Sequence, residues 1–211
     1  MEILENCEIT SLKRGPAGWI AGTSRGNFEA KLVLNAAGAW SEGVSALAGD
    51  RLKHTIRTSM MVVTERTAAR IKPVIGSQGR KLSLKQTTEG TLLIGGGAQG
   101  NLAPDRQSAS IDIGKLSSSI QAAIRLFPAL EGVRIVRTWA GMEAETPDHT
   151  PVIGFSERVE GLIHAFGFSG HGFQLVPSVG RVLADLVCDG NTRHDLAAFS
   201  AARSVLEREP A

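Results

Sequence analysis

The 211-residue chain has no tyrosine, so no phenol is available to shuttle a proton. It has only two cysteines, Cys7 and Cys188. They lie far apart and lack metal-ligand spacing, as expected of reduced thiols in a cytoplasmic protein. No stretch approaches the roughly 20 apolar residues that cross a bilayer. No basic segment followed by an apolar run opens the chain, so neither a membrane span nor a secretory leader is expected. An excess of one charge is also lacking. Lys and Arg number 23 against 21 Asp and Glu, and no basic run exceeds a pair. This excludes nucleic acid or an anionic membrane as the main partner. The five histidines show neither H-x-x-x-H nor H-E-x-x-H spacing, so no metal site is expected.

What remains is an ordinary globular composition, 42% apolar, with an unusual share of glycine, 24 residues. Glu8 to Leu12 and Trp19 to Thr23 read as strands around a turn at residues 14–18. A second turn at Arg25-Gly26-Asn27 leads to Phe28-Glu29-Ala30. Lys31 to Asn35 reads as a buried strand, and Ser41 as the N-cap of a short helix ending at Ala48-Gly49. Thr55 to Thr64 is a strand. Arg80 to Thr87 and Thr91 to Gly95 form a hairpin. Ile113, Leu116, Ile120, Ile124 and Phe127 recur at helical spacing until Pro128. Val133 to Trp139, Pro151 to Phe155 and Gly161 to Phe166 are strands. The last clear helix carries Leu175, Val179, Val182, Leu183, Leu186 and Val187 on one face, with Pro177 near its first turn. The tail from Thr192 is helical in composition. This order fits an α+β region inserted into an α/β framework.

Three segments carry chemistry. The strand ending Asn35-Ala36-Ala37-Gly38-Ala39-Trp40 lets backbone approach a bulky ligand with no Cβ in the way. Trp139 to Gly154 is a stiff loop shaped by Pro147 and Pro151. Gly167-Phe168-Ser169-Gly170-His171-Gly172-Phe173-Gln174 precedes a helix, whose free N–H groups and dipole favour an electron-rich ligand. Taken singly, the first reads equally as a small-residue packing turn, the second as a rigid connection, the third as a glycine-rich cap. Gly95 to Gly100 matches G-x-G-x-x-G, but loop rather than helix follows it, so it is not a nucleotide loop.

Together and in this order, the three segments resemble the D-amino-acid-oxidase-like flavoproteins, through essentially the whole chain. Leu32 to Trp40 is similar to the family's strand and turn near the adenosine side of FAD. Thr146-Pro147-Asp148 through Gly154 resembles its T-P-D-x-x-P-x-x-G loop, and Gly167 to Gln174 its C-terminal flavin motif. The resemblance implies a partial, Rossmann-like FAD-binding domain, residues 1–50 and 140–211. A mixed β-sheet substrate domain, 51–139, would interrupt it. FAD is the implied cofactor, with Ala36, Ala37, Gly38, Trp40, Gly141, Gly167, Gly170, His171, Gly172, Phe173 and Gln174 as its contacts. The implied reaction oxidises an amine or amino-acid C–N bond to an imine, with hydride passing to the flavin. No residue is assigned as catalytic.

Two departures matter. The family's G-x-G-x-x-G strand and helix have no counterpart at this N-terminus, so a truncation, or a separate polypeptide supplying that half, is expected. Glu143 stands where many relatives carry an Arg that pairs with a substrate carboxylate. Gln174 stands where some relatives have a carboxylate-binding Lys. Both point toward opines or secondary amines. Arg57, Lys85 and Arg137 are further candidate anion partners. The competing expectations are a non-enzymatic or partner-dependent domain without flavin, and a flavoprotein acting on a non-amine.

Overall fold

Short alternating strands punctuated by glycine open the chain. β1 (Ile9–Gly15), β2 (Gly18–Thr23) and β3 (Gly26–Ala30) form an antiparallel meander in that order. The first turn is tighter than the sequence suggests, because Gly15 pairs with Gly18 and leaves only Pro16 and Ala17 between. Gly18 has φ 142°, and a Cβ there would collide with the Ala30 carbonyl. The computed structural model describes residues 2–68, 71–76, 82–203 and 206. The expected strand start at Arg80 and Lys81, and much of the tail beyond Arg203, lie outside them.

β4 (Val33–Asn35) follows, then a 3₁₀ turn (Gly38–Trp40) and α1 (Ser41–Leu47). Two expectations fail here. β4 is not fully buried, since Leu34 is 41% exposed at the edge of its sheet. Ser41 is the first residue of α1 rather than its cap. The 3₁₀ turn runs straight into the helix, and the Ser41 hydroxyl turns to His54 Nε2 at 3.0 Å instead.

The chain then forms β5 (Thr55–Arg66), β6 (Ile75–Gly76), β7 (Ser83–Gln86), β8 (Thr91–Gly95), β9 (Asn101–Leu102), β10 (Ala109–Ser110), α2 (Ile113–Leu126) and β11 (Ile135–Glu145). Five of these strands make one sheet in the order β11-β5-β8-β7-β6. Along β5 the buried residues alternate as Thr58, Met60, Val62 and Thr64, the two-residue period of a half-covered strand. Leu116, Ala122 and Ala123 of α2 join Met60, Val62, Leu84, Leu92 and Ile94 in one core cluster. Asp112 caps α2, accepting from the Lys115 N–H at 3.0 Å.

β12 (Val152–Phe155), β13 (Leu162–Phe166) and α3 (Gly172–Asp189) complete the fold. β13 is buried along its whole length, with β12 antiparallel on one side and β4 parallel on the other. Val182 and Leu186 of α3 pack on Ile153 and Ile163. Two details of α3 differ from expectation. Val187 is 44% exposed, so it leaves the buried face. The helix begins at Gly172, which puts Pro177 inside it and removes the N–H that would bond the carbonyl four residues back. The tail forms only a 3₁₀ turn (Ala197–Phe199) before Ala201 and Leu206 join Leu52, Val152 and Phe166 in a second cluster.

Contacts divide the chain into two compact units, Met1–Thr55 with Glu143–Ala211, and Ile56–Met142. The first is α/β around a mixed three-stranded sheet, and the second is α+β. Within α2, Leu116 is 2% exposed and Ile113 is 71% exposed, although both sit on the apolar stripe. Leu116→Ala is therefore expected to cost about 2–5 kcal/mol, and Ile113→Ala less than about 0.5 kcal/mol, in urea unfolding.

Candidate active site

Parallel pairing decides where the chemistry sits. Val33, Leu34 and Asn35 of β4 lie opposite Leu162, Ile163 and His164 of β13. Both strands therefore end at the same edge of the sheet. Ala36-Ala37-Gly38 leaves one, and Gly167-Phe168-Ser169-Gly170 leaves the other. In open α/β sheets, ligands bind beyond such carboxyl ends. Asn35 is buried and shapes its turn, donating from Nδ2 to the Ser41 carbonyl at 2.9 Å and accepting the Ala37 N–H at 3.3 Å. Gly38 has φ 56°, with open space where a Cβ would stand. Trp40 is 46% exposed beside it.

The glycine loop after β13 is bent by three left-handed positions, Gly167 at φ 77°, Ser169 at 51° and Gly170 at 86°. Ser169 accepts that conformation with its hydroxyl donated to the Gly167 carbonyl at 3.1 Å. A Cβ on Gly167 would lie 2.6 Å from Thr146 Cγ2, so glycine is required where the two loops touch. The His171 N–H closes the loop on the Phe168 carbonyl at 2.9 Å. His171 then precedes α3 without a side-chain cap, unlike Asp112 before α2. Phe173 is 96% exposed in the first turn. The first-turn amides of α3 thus keep the helix dipole's positive end uncapped by His171.

The expected loop from Trp139 to Gly154 is a loop only in part. Its first half is β11, because Glu145 bridges Phe168 and Ala144 accepts the Ser169 N–H. Strand geometry places Glu143 and Glu145 on one face. Glu143 Oε2 would be 3.7 Å from a Cβ on Gly170, so its carboxylate stands by the glycine loop. Glu145 pairs with His149 Nδ1 at 3.2 Å. Thr146 to Pro151 forms the true turn. The Thr146 hydroxyl donates to the Thr150 carbonyl at 2.8 Å, and the Thr150 N–H donates to Asp148 at 3.1 Å.

Sequence reading missed Arg203. Its guanidinium binds both Asp148 oxygens, at 3.0 and 3.4 Å, and the carbonyls of Thr150, Pro151 and Ser200. A carboxylate in a proline-bounded turn signals a need for a cation, but nothing local points 55 residues ahead. Burial raises the Asp148 carboxyl, yet the bonds from Arg203 and the Thr150 N–H, with the guanidinium charge, outweigh it and hold it below the ordinary carboxylate range.

The first unit thus brings together Ala36, Ala37, Gly38, Trp40, Glu143, Gly167, Gly170, His171, Gly172, Phe173 and Gln174. Gly141 and Arg57 fall in the second unit, as do Lys85 and Arg137, which lies over the Trp139 ring at 5.6 Å. Ala37 has its N–H occupied by Asn35. No cluster of metal-binding side chains exists among the described residues. No helix there is long and apolar enough to cross a membrane.

A glycine-lined turn leaves one of two parallel strands, and a glycine loop leading to a helix N-terminus with no side-chain cap leaves the other, the strand-end arrangement at which open α/β folds bind nucleotide-like ligands. The space where a Cβ would stand is open at Gly38, whereas at Gly170 it meets the Glu143 carboxylate. Family comparison makes the class specific. Residues 1–186 match the FAD dependent oxidoreductase family, and the chain belongs to it. Hydrogen cyanide synthase subunit HcnC of Pseudomonas aeruginosa is 29% identical, covering all of this chain and 49% of its own length. Glycine oxidase of Geobacillus kaustophilus is 28% identical over 96% of the chain and 52% of the oxidase. Its crystal structure superposes with a TM-score of 0.85 at 25% identity, over 95% of this chain and 53% of that one. L-proline dehydrogenase from P. horikoshii gives 0.82 at 29% identity, over 93% and 53%. The chain spans about half or less of the length of the curated relatives it matches.

The depressed Asp148 carboxyl stabilises the fold above the ordinary carboxylate value, and this is lost as pH falls through the lowered folded value. Arg203→Ala is expected to cost about 2–3 kcal/mol at neutral pH. It should also weaken the loss of stability below about pH 4, read as urea midpoints across pH.

Proposed function

We propose that this chain is the flavin-ring half of an FAD-dependent oxidoreductase that oxidises an amine or amino-acid C–N bond. The observation that carries this is the pairing of β4 with β13, which sets the Ala36–Gly38 turn beside the Gly167–Gln174 loop. When bound, the flavin supplies the hydride acceptor. The chain's own part is positioning and electrostatics. Gly38 and Gly170 let backbone come close to the ring system, and Gly172, whose missing Cβ clears Phe168, opens the helix at that point. The first-turn amides of α3 face the negative charge that reduction brings, and stabilise it without reorganising. His171, Phe173 and Gln174 line that approach, and Trp40 borders the turn. The first unit is the partial FAD-binding domain. The second unit is the substrate-binding domain, to which Arg57 and Gly141 belong.

Glu143 sets the substrate class in this reading. A carboxylate beside the glycine loop attracts a protonated or secondary amine and repels an α-carboxylate. The dinucleotide-binding half comes from elsewhere in a longer chain or from a second polypeptide. Exposed apolar groups support this. Leu34 lies 41% exposed on the edge strand β4. Phe173, Val176 and Val187, with the small residues Gly180 and Ala184, form an exposed stripe at helical spacing along α3.

The test is a visible spectrum of the purified chain with added FAD, alone and with a polypeptide carrying a strand–G-x-G-x-x-G–helix segment. Bound oxidised flavin, absorbing at about 450 nm, is the expected result. A colourless protein under both conditions favours a non-enzymatic domain. In the complete enzyme, Glu143→Gln should raise turnover of carboxylate-bearing substrates relative to simple amines by roughly tenfold, scored by flavin bleaching. An unchanged ratio, or activity confined to hydroxy acids, removes the amine reading.

A further inference from the structure

Beneath the Ala36–Gly38 turn lies a chain of buried polar side chains that the proposed chemistry does not use. Asn35 is 1% exposed, His164 and Asp50 are fully buried, and the rings of Phe166 and His164 meet edge to face at 5.6 Å. Burying a carboxylate in such surroundings is costly unless every contact is well made. The hydrogen bonds can be given a direction. Only the NH₂ of Asn35 can face the Ser41 carbonyl, and only its oxygen can face the Ala37 N–H, so the amide orientation is fixed by backbone. That NH₂ stands 3.5 Å from His164 Nδ1, which must therefore accept. The ring proton is then on Nε2, which donates to Asp50 Oδ2 at 3.1 Å. Ser156 agrees with this direction. Its oxygen accepts the N–H groups of Arg158 and Val159, leaving its hydroxyl proton for the same Asp50 oxygen at 2.5 Å.

We infer that Asp50, His164 and Asn35 form a positioning relay that sets the Ala36-Ala37-Gly38 turn, with His164 held as the neutral Nε2–H tautomer. The carboxylate draws the Nε2 proton, which strengthens Nδ1 as an acceptor and aligns the Asn35 amide. Asn35 then holds the Ala37 N–H, fixing the direction in which the turn leaves β4. Hydrogen bonds in series polarise one another in a medium of low dielectric. The inference rests on the cofactor reading only where it concerns FAD; the relay itself is a property of the chain.

Two-bond nitrogen–proton correlations of the histidine rings in the ¹⁵N-labelled chain decide the tautomer with no mutation. A protonated Nε2 and bare Nδ1 at His164 are expected; an Nδ1–H tautomer or an imidazolium overturns the relay. Amide exchange supplies the second readout. Asp50→Leu should speed exchange at Ala37 on the order of tenfold, while Asp50→Asn, which keeps a carbonyl acceptor, restores protection. Unchanged exchange at Ala37 in the leucine variant overturns the positioning role. His164→Val should weaken FAD retention on the order of tenfold, and unchanged retention removes the link to the cofactor. A wild-type chain that takes no FAD even with the G-x-G-x-x-G polypeptide added defeats the flavin reading instead, and leaves the tautomer and Ala37 exchange to judge the relay.

Discussion

One register governs the first unit: three residues of β4 lying parallel to three residues of β13. Because the strands run the same way, their carboxyl ends emerge together. The Ala36–Gly38 turn and the Gly167–Gln174 loop follow from this. An antiparallel pairing would have sent the Ala36–Gly38 turn and the Gly167–Gln174 loop to opposite edges of the sheet. β13 can hold the central place because all five of its residues are buried, the pattern of a strand covered on both faces.

Backbone constraint then fixes the path of the glycine loop. Gly167 cannot carry a Cβ against Thr146, and Ser169 and Gly170 continue the left-handed path. Phe168 is bridged to Glu145, so the end of β11 and the glycine loop share one frame. Arg203 braces the other side of that frame through Asp148 and three carbonyls. The loop before α3 is therefore held from within this chain. Such internal bracing is what electrostatic preorganisation of its amides would require.

Much of this was legible in the sequence, for identifiable reasons. Glycine density marked the loop before α3, because glycine in such numbers is useless to a strand interior. Hydrophobic period marked α2, and its core partners followed. What failed was whatever depended on partners distant in sequence. Ser41 looked like a cap until His54 offered its hydroxyl a better acceptor. Trp139 to Glu145 looked like loop because glycine and acid mask the alternation, and only pairing along β11 reveals a strand. Arg203 gave no local signal at all. Asp50 and His164, 114 positions apart, carry the same lesson, since neither residue alone distinguishes a surface group from a buried relay.

The exposed apolar surface has a direct physical relation to the cleft. An amphipathic helix ordinarily hides its apolar groups on one face, yet α3 has Val182 and Leu186 buried and Phe173, Val176 and Val187 in solvent. A helix apolar on two sides belongs between two layers, and here one layer is the β12-β13-β4 sheet. Gly180 and Ala184 in the open stripe allow a second layer to approach closely. The free edge of β4 with Leu34 makes the same demand on the sheet, which can grow by another parallel strand there. Along the chain β4 leads into the turn, and α3 follows the loop, proposed to face the flavin. A strand and helix added on that side would close the cleft and bring a second helix N-terminus for the pyrophosphate. In the proposed reading the division of labour would be chemical as well as spatial, with the ring's charge met by α3 and the phosphates by the added strand and helix.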